Sequence, residues 1–204
     1  MRRALLIGMS IAVFGLGRAL ADEPAGPVAP VGPQDHVLGP ANAPVTVIEY
    51  ASLTCPHCGK FETTVFPKIK TDLIDTGKLR FAFRDFPLDG GALKAAQIAH
   101  CGGDEGQYWG FLELEFRNQA TWAFGEGNPV DALIRLSRLG GLSEDAARAC
   151  MADENLARTI VETRQGGENA GVDGTPTFFV NGKKQMLTEI SYEAFVKLLH
   201  DSGS

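Results

Sequence analysis

A chain of 204 residues, 44% hydrophobic and 22% charged, holds enough apolar content for one good core and is not expected to be disordered. Its 25 acidic against 19 basic side chains give a formal net charge of −6, which disfavours nucleic acid, because neutralising phosphates takes clustered Lys and Arg. Proteins or neutral surfaces are the expected partners.

Arg2 and Arg3 open the chain, an apolar run extends from Ala4 to Leu16, and Ala19-Leu20-Ala21 stands before Asp22. Charge, apolar run and small-x-small ending, in that order, predict a cleavable secretory signal over residues 1–21 and export to the periplasm. The run falls short of the roughly 20 apolar residues of a spanning helix, although an uncleaved anchor is the alternative. Cleavage removes Arg2, Arg3 and Arg18 and no acid, taking the net charge from −6 to −9. All four cysteines lie beyond the cut, an even number in an exported protein, which favours disulfides.

Prolines 24, 27, 30, 33, 40 and 44, with several glycines and no apolar period, mark residues 22–44 as an extended leader that need not pack, with residues 22–38 set ahead of the first domain. Val45–Tyr50 is β-branched on both alternating faces, as in a central strand covered on both sides. Phe61, Val65, Ile69 and Leu73 then recur every four residues, predicting one amphipathic helix, kinked at Pro67 and ended by Gly77. Leu79–Arg84 alternates as a strand. Helical stretches follow at Ala92–His100, Gln107–Asn118, Val130–Leu139, Ser143–Met151 and Asn155–Ala170, an all-helical block between β segments. Thr177–Val180 reads as a strand, Asn181-Gly182 as a hairpin turn toward residues near Lys184–Leu187, and Ser191 as the cap of a last helix. The fold class is α/β. Tyr108, Trp109, Phe111, Leu112 and Phe116 share one aromatic helix, read as core packing. His36, His100 and His200 show no pairing pattern.

Between the first strand and its helix stands Cys55-Pro56-His57-Cys58. A helix starting at Cys55 points its free N–H groups and positive dipole end at the first sulfur, which favours the thiolate. That makes Cys55 the exposed, attacking thiol and Cys58, one turn in and beneath it, the resolving thiol. Pro56 suits a first-turn position that needs no donor, and His57 adds a second donor or positive charge near the sulfur. A pair so tuned is an oxidant, since stabilising the thiolate favours the dithiol. Zinc binding is one alternative, but the missing ligands would have to come from His36, His100, His200 or the distant cysteines, none of which forms a second pair. A purely structural disulfide is another, though it closes a loop too short to gain much entropy. Glu49, six residues before Cys55 and on the face of Val45 and Val47, is expected to be buried and able to take a proton from Cys58. A partly solvated strand-end acid is the alternative there.

With Gly174-Thr175-Pro176-Thr177-Phe178-Phe179-Val180-Asn181-Gly182 downstream, strand, Cys-Pro-His-Cys and long helix together resemble the DsbA family of bacterial disulfide oxidoreductases, over roughly Val37 to the C-terminus. The resemblance implies a thioredoxin-like fold, residues 39–89 and 171–204, with an inserted all-helical domain, 90–170. It implies that Thr175-Pro176 is the family's cis pair, leaving the Thr175 backbone free to bind an extended substrate strand; an ordinary trans proline is the alternative. Glu49 resembles the family's buried acid. Implied too are an exported thiol oxidase that introduces disulfides into reduced, unfolded exported proteins, and reoxidation by a quinone-linked membrane protein of the DsbB type. An isomerase or reductase is the alternative, disfavoured because residues 22–44 are too short for a dimerisation module, so a monomer is expected. No cofactor or metal is called for. With Cys55 and Cys58 assigned, Cys101 and Cys150 remain to pair as a structural disulfide, or to stand as two buried free thiols; some relatives have such a bridge and others lack it.

Overall fold

The computed structural model describes residues 25–203; the signal expected over residues 1–21 lies outside them. Five strands form one mixed sheet in the order β1 (His36–Leu38), β3 (Leu79–Asp85), β2 (Val45–Ala51), β4 (Thr177–Val180), β5 (Lys183–Gln185). β2 and β3 run parallel, with Val47 opposite Phe81 and Glu49 opposite Phe83, and the remaining pairings are antiparallel. A parallel pair needs a long crossover, which residues 52–78 supply as helix. The hairpin return ends at Gln185 rather than near Leu187.

The crossover is two helices, α1 (Pro56–Thr64) and α2 (Phe66–Ile69), followed by a π turn, Lys70–Ile74, where one kinked helix was expected. Pro67 has no N–H to give the Thr63 carbonyl and its ring crowds that turn, so the chain breaks at Val65 (φ −112°, ψ −48°) and restarts with Pro67 in the first turn of α2. The apolar stripe survives the break: Phe61 and Ile69 are fully buried with Val47, Phe81, Phe178 and Phe195. Phe195 comes from α9 (Tyr192–Asp201), capped by the Ser191 hydroxyl, which accepts from the Ala194 N–H.

Between β3 and β4 lie α3 (Gly90–His100), α4 (Glu105–Arg117), α5 (Gln119–Trp122), α6 (Pro129–Leu139), α7 (Glu144–Ala152) and α8 (Glu154–Asn169). Five of the six begin at a polar cap, Asp89, Asp104, Asn128, Ser143 or Asp153, whose side chain accepts a first-turn N–H. The short α5 had no sequence signal. Four of the five α4 residues read as core, Tyr108, Phe111, Leu112 and Phe116, are buried, and the half-buried fifth, Trp109, lies parallel to Phe66 of α2 with ring centroids 6.0 Å apart, joining the block to the sheet. Cys101 and Cys150 are joined in a disulfide between the end of α3 and α7. No helix among the described residues is long and apolar enough to cross a membrane.

The leader, expected to need no packing, packs along its described part. Val28, Val31 and Val37 cover the second face of the sheet against Ile48, Tyr50 and Phe179, and His36–Leu38 adds the edge strand β1. The reason is a buried cation. Arg84, 7% exposed, uses all five of its donors, on both Asp35 carboxylate oxygens, the Ala29 and Pro30 carbonyls and the Tyr50 hydroxyl, at 2.7–3.0 Å. His36 and His100, which showed no pairing pattern, meet at 3.1 Å between Glu105 and Asp85, each carboxylate 2.7–2.8 Å from the outer ring nitrogen of its histidine.

Candidate active site

β2 ends at Ala51, and a turn over Ser52–Thr54 delivers Cys55 to the N-cap of α1, with extended backbone (φ −83°, ψ 119°) and Pro56 just behind it. An extended N-cap sets the sulfur over the unpaired N–H groups of the first turn. The loop before β4 closes over it: the Thr175–Pro176 peptide bond is cis, and the Thr175 carbonyl lies 3.2 Å from Cys55 Sγ. Cys55 is therefore less open than expected, 6% exposed, while Cys58 is fully buried one turn below. Both are free thiols.

The two sulfurs differ sharply in acidity. The hydrogen bond from Cys58 is the largest influence on Cys55 and lowers it; burial opposes this, and the Thr175 side chain and the N–H groups of Cys58 and His57 add to the lowering, the net effect bringing Cys55 from 9.0 down to about 5. A thiolate cannot donate to the Thr175 carbonyl, so that contact belongs to the thiol form; the Thr175 hydroxyl is buried and has no hydrogen-bond partner. Cys58 is pushed well above its ordinary value, first by burial, then by the bond it donates to Cys55. The His57 side chain is exposed; what His57 contributes to the sulfur is its backbone N–H.

Glu49 is fully buried, and neither carboxylate oxygen meets a donor. Burial, and after it the nearby Glu62, raises it far above the usual range, so it holds a proton. Glu49 and Glu62 are two buried acids close enough to act on each other's acidity. Glu62 itself is raised, by burial first. Sequence reading passed over Glu62, yet a signal existed, because it stands four residues after Cys58 on the same face of α1. It lines a groove of about 530 Å³ with Phe66, Trp109, Leu112 and Phe116. Among the described residues no group of three or more His, Cys, Asp or Glu is placed to hold a metal ion.

A depressed thiol predicts a pH dependence. In the reduced protein, 240 nm thiolate absorbance should rise with a midpoint near pH 5 and be missing in Cys55→Ala. Because the folded value lies below the ordinary 9.0, ionisation contributes its full stabilisation above pH 9, loses it as pH falls, and contributes nothing below about 5. The stability difference between reduced and oxidised protein should therefore rise with pH from about 5 to 9; above 9 the raised Cys58 thiol works in the opposite sense. A midpoint near 9 would mean that the first turn of α1 does not act on the sulfur.

Residues 32–201 match a family model described as Thioredoxin. The crystal structure of Wolbachia pipientis alpha-DsbA1 is similar at a TM-score of 0.75 and 34% identity, covering 84% of this chain and 92% of that one. A putative protein-disulfide oxidoreductase of Rickettsia typhi is 34% identical over 149 residues, 72% of this chain and 55% of that protein. The Na(+)/H(+) antiporter NhaA 1 of Salinispora arenicola is 37% identical over 177 residues, 85% of this chain and 25% of that protein. The chain thus spans between a quarter and just over half the length of these two relatives.

Proposed function

The chain belongs to the DsbA-like family of thioredoxin-fold proteins, and on that premise we propose that it is an exported thiol:disulfide oxidoreductase that introduces disulfide bonds into newly translocated proteins. The observation that carries the reading is the split in acidity across one helix turn, Cys55 held at about 5 above a buried Cys58 held high. Such a pair favours its dithiol form and so gives up its disulfide readily.

In the oxidised enzyme a substrate thiolate attacks Cys55 Sγ. The Cys55–Cys58 bond breaks, a mixed disulfide forms on Cys55, and Cys58 leaves as a thiolate. Glu49, beside Cys58 and carrying a proton, neutralises it, and Glu62 on its groove can return the proton. A second substrate thiolate then attacks the substrate sulfur of the mixed disulfide and expels Cys55, a good leaving group because its thiolate is stable. Two electrons pass from substrate to enzyme. Thr175, just ahead of β4 with its carbonyl at Cys55, is the backbone position that an extended substrate would meet, and Pro176 holds that loop against the thiols. Reduced, unfolded exported proteins are the substrates, and a quinone-linked membrane reoxidase of the DsbB type restores the disulfide of a monomeric enzyme. The charged, apolar and small-x-small start of the chain supports a periplasmic site.

The test is the equilibrium of Cys55–Cys58 with a glutathione buffer. An oxidase should show a potential above about −180 mV, whereas a value near about −270 mV would sink the oxidase reading and leave a reductase.

A further inference from the structure

The turn that carries Cys55 is held from the helical block. Inside the turn, the Cys55 N–H donates to the Ser52 carbonyl, and the Gly59 N–H to the Cys55 carbonyl, both at 3.0 Å. From outside, Gln119 of α5 donates through one nitrogen to two carbonyls, Leu53 at 2.8 Å and Cys55 at 3.0 Å. Gln119 is buried, 7% exposed, and more than sixty residues along the chain from both acceptors. Position 59 makes room for it, because a methyl on Gly59 would come within 2.5 Å of Gln119 Oε1. On the opposite side the Thr54 hydroxyl donates at 2.7 Å to Asp89, whose other oxygen caps α3.

The Cys55 carbonyl belongs to the same peptide chain segment as the His57 and Cys58 N–H groups that act on the sulfur. A carbonyl held by both Gly59 and Gln119 leaves that first turn little freedom, and a donor pair aimed at a thiolate is effective only when its geometry is fixed. We infer that Gln119 is a positioning residue for the thiol chemistry: from the helical block it grips the Leu53 and Cys55 carbonyls and keeps the first turn of α1 aimed at Cys55 Sγ. This rests on the redox role proposed for Cys55. It gives the helical block a part in setting the nucleophile.

Gln97 supplies a matched control. It is also buried and also donates through one nitrogen to two carbonyls, Cys150 at 3.0 Å and Asp153 at 2.8 Å, but wholly within the helical block. Gln119→Met and Gln97→Met keep length and lose the donor, and both should lower the thermal midpoint of the full chain. Only Gln119→Met should also reduce the Cys55 ionisation constant, read at 240 nm, by about three- to tenfold, and move the glutathione equilibrium toward the disulfide by a similar factor. Gly59→Ala displaces the Gln119 side chain without removing it, so it should shift both readouts in the same direction, and it carries the test if Gln119→Met does not fold. In a Gln119→Ala background Gly59→Ala should add no further shift. The inference is overturned if the ionisation constant stays within twofold of the parent in the folded variant, or if Gln97→Met moves it equally. A parent potential in the reducing range would defeat the oxidase reading alone, since the Gln119 effect is a ratio between variants.

Discussion

Cys58→Ala is expected to turn a transient exchange partner into a trap, collecting substrate proteins on Cys55 as mixed disulfides. The Cys55 thiolate attacks a substrate disulfide, a Cys55–S bond forms, and one substrate sulfur leaves as a thiolate. In the parent, Cys58 attacks Cys55 from one turn below and releases the partner. In the variant no other thiol takes its place, because Cys101 and Cys150 are bonded to each other. Non-reducing electrophoresis should show a ladder of adducts that reductant collapses, and Cys55→Ala should show none. Turnover should fall in both variants on the order of 10³-fold or more, since each lacks half of a covalent exchange. Adducts that persist in a Cys55→Ala, Cys58→Ala double variant would assign the nucleophile elsewhere.

Removing the Cys101–Cys150 bridge by a double alanine substitution should cost about 4 kcal/mol on the loop-entropy account, for a loop spanning 49 residues. The native state retains other ties at the same place, which argues that the change falls mainly on the unfolded chain: Gln97 still holds the Cys150 and Asp153 carbonyls, and Lys94 still reaches the Met151 carbonyl. Urea unfolding of the protein with Cys55 and Cys58 reduced should show the midpoint falling in proportion. The glutathione equilibrium of Cys55–Cys58 should be unchanged, because the bridge joins α3 to α7 and touches neither thiol. A loss below about 1 kcal/mol would mean that the unfolded chain was already compact enough to gain nothing from the cross-link.

Much of the fold was legible in short-range patterns. β-Branched residues on both faces at Val45–Tyr50 and alternation at Leu79–Arg84 gave two strands to within one residue, and Ser191 marked where the last helix begins. Pro67 was read correctly as a disturbance and wrongly as a mere kink, because a lost hydrogen bond is local information while the choice between bending and breaking depends on what the stripe packs against. The leader misled for a related reason. Its Pro and Gly content describes an unpacked chain faithfully, but it cannot announce that Arg84 waits for the Ala29 and Pro30 carbonyls.

The amino-acid sequence alone determined that two cysteines lie one helix turn apart and which of them stands at the helix start, since Cys55 and Cys58 are separated by three peptide bonds of a first turn. Tertiary structure decided how strongly that asymmetry is expressed. Thr175 reaches Cys55 across 120 residues and Gln119 across 64, while Glu49 meets Glu62 only because β2 and α1 pack face to face. Such contacts leave no periodic trace in a sequence, because their partners are chosen by how elements dock, and desolvation, the largest influence on Cys58, Glu49 and Glu62 alike, exists only once the core has closed.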